Sequence, residues 1–218
     1  MTDLERELFA AIDADDAAAV ERLLGKDPAL AGARGEDGVS AVMRALYRRR
    51  EGALAALLLA ARDLDLFEAA ALGESARVAE ILAARAEAVS DRSPDGFTAL
   101  HLAAFFGRAP AAELLVARGA EVDAVAANPM RVTALHSAAT SRSTAVAGLL
   151  LSRGADPNAA QQAGFRPLHS AANNGDLPMI ELLLAHGAER DAKADDGQTA
   201  ADFAAAAGRA EAAERLRR

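Results

Sequence analysis

The chain has no cysteine. That excludes a disulfide framework, a thiolate nucleophile and a cysteine-ligated zinc site, and it fits a reducing compartment. Aromatic residues are nearly as scarce. Seven Phe and one Tyr make up 4% of 218 residues, although 52% of the chain is hydrophobic. Most of that apolar content is alanine, and small side chains suit thin, close-packed helix layers better than a wide globular core. A basic surface is missing too: the net charge of −8 argues against nucleic acid as a partner. No apolar run approaches the ~20 residues that span a bilayer; the longest is Ala53 to Ala61, so no membrane partner is expected. The opening Met1-Thr2-Asp3-Leu4-Glu5-Arg6-Glu7 has neither the basic nor the apolar region of a signal peptide. A cytoplasmic location is the expectation.

Catalytic signatures are also lacking. There is no G-x-S-x-G, no G-x-x-x-x-G-K-[ST] and no G-x-G-x-x-G, so neither nucleophilic catalysis nor phosphate cradling has support. Ser137 and Ser170 each follow a histidine, but adjacent residues on a helix point about 100° apart and form no dyad. The expectation is a protein that is not an enzyme and needs no cofactor.

What is present is repetition. Thr98-Ala99-Leu100-His101-Leu102-Ala103-Ala104 returns as Thr133-Ala134-Leu135-His136-Ser137-Ala138-Ala139 and as Arg166-Pro167-Leu168-His169-Ser170-Ala171-Ala172. A weaker copy is Thr199-Ala200-Ala201-Asp202-Phe203-Ala204-Ala205. The offsets between Leu100, Leu135, Leu168 and Ala201 are 35, 33 and 33 residues, the period of a repeat array. Each line is followed by a second stripe of helical spacing, such as Ala111 to Val116, Val146 to Leu151 and Ile180 to Leu184, which reads as a second helix. Gly119, Gly154 and Gly187 then stand where a helix end takes a left-handed residue, and Gly107 and Gly175 mark the turn inside a pair. Thr98, Thr133 and Thr199 are predicted helix caps. Fainter copies occupy Leu8 to Leu24, Ser40 to Leu59 and Leu66 to Leu82. Val42 lies only 24 residues before Leu66, leaving little room for a loop, so an irregular joint is predicted near Arg62-Asp63.

These residues, above all Asp95-Gly96-Phe97-Thr98-Ala99-Leu100-His101-Leu102-Ala103-Ala104 with Gly107, Leu114-Leu115 and Gly119-Ala120, resemble the ankyrin repeat family. The T-P-L-H-x-A line and the ~33-residue period match from about Leu64 to Arg217, and more loosely from Leu4 to Arg62. Ala99 and Ala134 stand in for the usual proline, and Arg166 for the threonine. Asn128-Pro129 brings a two-residue insertion, and Arg131 replaces the hairpin glycine. The resemblance implies an all-α ankyrin repeat solenoid of about seven stacked helix pairs with short hairpin-like loops. Residues 1–63 would form degenerate N-terminal repeats and a cap, 64–198 well-formed repeats and 199–218 a C-terminal capping repeat, in one continuous solenoid.

Three histidines in register invite a metal reading. Equivalent positions on stacked helices lie ~8–10 Å apart, whereas zinc holds nitrogen ligands at ~2.0–2.1 Å, so neighbours cannot share one ion and no metal is expected. The resemblance implies that His101, His136 and His169 hydrogen-bond loop backbone between repeats. It also implies a non-catalytic interaction module that meets an unidentified protein partner through its concave face and loop tips, and is monomeric alone. Carried onto this sequence, the candidate partner-binding residues are Asp95, Phe97, Phe105, Phe106, Met130, Val132, Gln162, Phe165, Asn173, Asn174 and Asp196. Phe97, Phe105, Phe106 and Phe165, with Met130 and Val132, would form an apolar contact patch, or else pack loop against helix within the stack. The alternative is a small-molecule-binding protein or atypical enzyme using the polar groove residues Gln161, Gln162, Asn173 and Asn174; a third is an antitoxin or chaperone-like adaptor. The one basic run, Arg48-Arg49-Arg50 with Arg44, reads as a solvated helix end, or as an anchor for an acidic partner or a phosphate.

Overall fold

The computed structural model describes residues 1–61 and 63–218. Among these, fourteen α-helices form seven pairs. The pairs are α1 (Asp3–Asp13) with α2 (Ala17–Lys26), α3 (Ala41–Tyr47) with α4 (Glu51–Ala60), and α5 (Leu66–Leu72) with α6 (Ser75–Ala84). Then follow α7 (Ala99–Phe105) with α8 (Ala109–Ala117), α9 (Ala134–Thr140) with α10 (Thr144–Ser152), α11 (Pro167–Asn174) with α12 (Leu177–Ala185), and α13 (Ala200–Ala206) with α14 (Ala210–Arg217). The fold is an ankyrin repeat solenoid.

Most first helices of a pair are only seven residues long. Isolated helices shorter than ~12–15 residues are marginal in water, so stacking must supply their stability. The repeated line shows how. Leu100, Leu135 and Leu168 are buried, and the alanines beside them, Ala103-Ala104, Ala138-Ala139 and Ala171-Ala172, have no exposed surface. Alanine allows adjacent first helices to approach closely, and each buried leucine contributes about 1.5–3 kcal/mol relative to exposure. Reciprocal caps fix where these helices start: Thr98 and Thr199 accept the backbone N–H three residues on, and the residue at that third position bonds back to the cap N–H. Asp65 and Glu68 do the same for α5. Arg166 has no acceptor to offer, and only the return bond from its N–H to His169 Nδ1 remains (3.1 Å).

Hairpins join one pair to the next. Gly35 N–H donates to Val39 O, Ser93 to Phe97, Gln161 to Phe165 and Ala194 to Gln198, at 2.8–2.9 Å. The third hairpin closes from Ala126 N–H to Val132 O (2.8 Å), so the Asn128-Pro129 insertion widens its tip. Arg131 takes φ 52° there, where its counterparts Gly96 and Gly197 have φ 86° and 82°.

Among the described residues no hairpin separates α4 from α5; residues 61–65 intervene, against residues 186–199 between α12 and α13. The irregular joint expected near Arg62-Asp63 thus coincides with a missing hairpin, and Arg62 itself lies outside the described residues. The omission has a structural effect. The hairpin before α3 meets the hairpin before α7 directly, and a Cβ on Gly38 would fall 2.9 Å from Pro94. Tyr47 at the end of α3 stacks on Phe106 (ring centroids 6.0 Å apart) and donates to Asp95 (2.7 Å). The second and fourth repeats therefore touch across α5. The apolar interior divides at the same place. One core runs from Leu8 to Leu57 and adds Ala71 and Leu102; the other runs from Leu66 to Leu216. The last helix turns Ala212, Ala213 and Leu216 inward and leaves Glu211, Glu214 and Arg217 exposed.

Candidate partner-binding surface

The histidines of the repeated line belong to the scaffold. His101 Nδ1 accepts the Thr98 N–H (3.3 Å) and hydroxyl (2.7 Å), which leaves Nε2–H to donate to Val132 O in the next hairpin (2.9 Å). His136 repeats this with Thr133 (3.2 and 2.9 Å) and Phe165 O (3.3 Å). Both ring nitrogens are committed, and the neutral imidazole is the form these partners select. Burial pushes His101 and His169 below the ordinary histidine range and His136 down to about 4.

The eleven candidate residues separate into two groups. Asp95 accepts from Tyr47 and from Ser93 (2.5 Å). Phe97 packs on His101 (5.9 Å) and on the N-terminal core. Val132 supplies the carbonyl for His101. Phe165 sits 4.7 Å from Phe203 of the next repeat, and Asn174 donates its amide to Ala139 O and Thr140 O (3.3 and 3.1 Å). With Phe106 against Tyr47, these six hold repeat to repeat. Phe105 (41% exposed), Met130 (48% exposed), Gln162, Asn173 and Asp196 face solvent. Met130 and Gln162 sit side by side on successive hairpin tips, linked by Gln162 N–H to Met130 O (3.0 Å). The phenylalanines do not make one patch: Phe165 lies with Phe203, while Phe106 faces the N-terminal repeats.

The paired rings give a direct test. Phe106→Ser should cost roughly 2–3 kcal/mol, the lower part of the range for losing a packed aromatic, because it removes the Tyr47 stack and the contact with the N-terminal core. Phe105→Ser should cost at most about 1 kcal/mol, the scale of one edge-on aromatic contact. Urea unfolding of the two single variants checks this ordering.

A second surface lies at the other end of the helices. The α3–α4, α7–α8 and α9–α10 turns border a groove of about 700 Å³. Phe105 and Phe106 line it with Tyr47, and Arg49, Arg50, Arg108 and Arg142 converge on it. Burial, then the hydrogen bond to Asp95, pushes the Tyr47 phenol up, so it is a neutral donor. The basic run noted in the sequence divides by face. Arg44 and Arg48 reach Asp13 (3.7 and 3.1 Å) and Arg44 also reaches Asp37 (3.4 Å). Arg49 and Arg50 turn into the groove. Sequence reasoning missed Tyr47, Arg108 and Arg142; the available signal was an arginine at the turn position that Gly107 and Gly175 fill in sister repeats.

A family model of ankyrin repeats in three copies matches residues 66–161, and one of ankyrin repeats in many copies matches residues 150–204. The chain belongs to the ankyrin repeat family. Ankyrin repeats generally serve as protein–protein interaction modules. A search of curated proteins finds no match. No helix among the described residues is long and apolar enough to cross a membrane.

Proposed function

We propose that this chain is a non-catalytic protein-binding module of the cytoplasm, monomeric when alone, which meets its partner through hairpin tips and the inner helices. Residues 1–63 and 199–218 act as the end repeats of one continuous array. The observation that supports this most is the exposure of Met130 beside the polar Gln162 on successive hairpin tips, with Phe105 exposed at the other end of the helices. Exposed apolar side chains rimmed by polar ones mark interaction surfaces, and Phe and Met are favoured in interface cores. The acidic surface charge disfavours nucleic acid.

Co-purification from the native host with mass spectrometry tests the reading. A partner recovered with the wild type and lost with Met130→Ser plus Gln162→Ala is the expected result. Recovery of the chain alone at native abundance would count against it.

A further inference from the structure

We propose that the groove between the α3–α4, α7–α8 and α9–α10 turns docks an acidic segment of a partner protein. Its carboxylates would lie on Arg49, Arg50 and Arg142, and an apolar side chain would lie against Phe105. This rests on the reading of the chain as a protein-binding module and names a site and a partner chemistry within it.

Charge is the first support. The protein carries net charge −8, yet four arginines converge on one groove, and none of them has a carboxylate partner among the described residues. Glu51 also lines the groove without pairing with them. Among the described residues the exposed guanidinium of Arg49 meets no side-chain or backbone acceptor, and Arg50 Nε is buried without a partner. Arg108 donates through Nε to Ala71 O (3.0 Å), and Arg142 through Nη2 to Asn174 O (2.7 Å); each fork keeps further N–H groups. A buried donor left unmade is costly, and the planar guanidinium matches a carboxylate two bonds at a time.

Backbone conformation is the second support. Turns within pairs need one left-handed residue. Gly73, Gly107, Gly175 and Gly208 supply it at φ 67–88° in their repeats. At two of the three groove turns Arg49 and Arg142 adopt φ 53° and 61° instead. Such conformations cost a side chain that glycine does not carry, and they cluster at functional positions. The comparable Asp15 (φ 56°) has a visible task, accepting the Ala53 N–H at 3.0 Å. Arg49 has none among the described residues; it lines the groove.

Shape is the third support. About 700 Å³ lies within the range of ligand sites, ~300–1,000 Å³. Phe105, 41% exposed and edge-on to Phe106 at 5.2 Å, gives an apolar wall. That wall favours a peptide over a bare phosphate, which would use the arginines and leave the ring idle.

Short random peptides displayed on phage are selected on the full chain and counter-selected on the double variant Arg49→Gly plus Arg142→Gly. The expected result is enrichment of peptides with Asp or Glu flanking Leu or Phe. Measured by fluorescence anisotropy, these should bind the double variant and Arg50→Gln at least about tenfold more weakly, and Glu→Gln versions of the peptides should lose affinity for the wild type. The double variant's unfolding midpoint should stay near the wild-type value, because the ease of glycine at positive φ offsets the loss of the exposed Arg142 bond to Asn174 O, so lost binding would not reflect lost folding. No enrichment would overturn the proposal, as would peptides that bind wild type and double variant alike. Saturable binding of inorganic phosphate in calorimetry without peptide enrichment would reassign the groove to small anions. A native partner kept by the double variant but lost with Met130→Ser would overturn the groove while leaving the module reading standing.

Discussion

Acidification from pH 7.5 to 4.5 is expected to weaken the fold by about 2.5 kcal/mol through His136 alone. The imidazole is 1% exposed and burial holds it neutral down to about pH 4, whereas an unfolded histidine titrates near ~6.5. The folded state thus refuses a proton that the unfolded chain accepts. His136's contribution is complete above the unfolded value, declines as pH falls through it, and declines no further below about pH 4. His101 and His169 are pushed in the same direction by burial and add losses of the same sign. Glu68 opposes them: burial raises its carboxyl, so its protonation favours the folded state and offsets part of the loss at the acid end. Urea unfolding at stepped pH, with proton uptake on unfolding measured at pH 5.5, tests this. A stability profile flat from pH 7.5 to 4.5 would refute it.

Leu57→Ala is expected to cost about 3 kcal/mol, the usual scale for truncating a buried leucine, and to do so locally. Leu57 is fully buried in the N-terminal core, which meets the larger core through a narrow set of residues, among them Ala71, Leu102, Phe67 and Phe97, the Tyr47 contacts with Phe106 and Asp95, and the Arg34–Asp65 pair. Repeat arrays gain stability from neighbour to neighbour, so a weak junction lets one side open without the other. Hydrogen exchange should accelerate in α1 to α4 and remain slow in α9 to α13. Leu135→Ala, also fully buried, should cost as much and reverse the pattern. Uniform acceleration by either variant would show that the two cores unfold as one.

Much of this was legible because burial repeats with the period. Leu100, Leu135 and Leu168 face the same environment in successive repeats, so one spacing exposes all three. His101 and His136 followed because each faces the same pair of partners, a cap behind and a hairpin carbonyl ahead; His169 keeps only the Arg166 N–H, and its Nε2 is buried without a partner among the described residues. The surface was less legible. Phe97, Phe105, Phe106 and Phe165 hold family positions that are exposed in a regular stack. Here Phe106 is covered by Tyr47, a contact across α5 that accompanies the short α4–α5 connection. Phe165 is covered by Phe203, which no feature of its own repeat announces. The groove was least legible of all. It joins residues from the second, fourth and fifth repeats, which lie far apart in the sequence, so the Arg49 run and Arg142 gave no sign that they share one groove.

The missing hairpin can be compared to a stacking fault in a layered crystal. On either side the layers are regular, and whole repeats added or removed at the C-terminal end would leave the fault as it is. The groove belongs to the fault and not to the layers. Restoring a full-length hairpin between Ala61 and Leu66 would part Tyr47 from Phe106, make the lattice regular, and erase the cleft that Tyr47 and Phe106 line together.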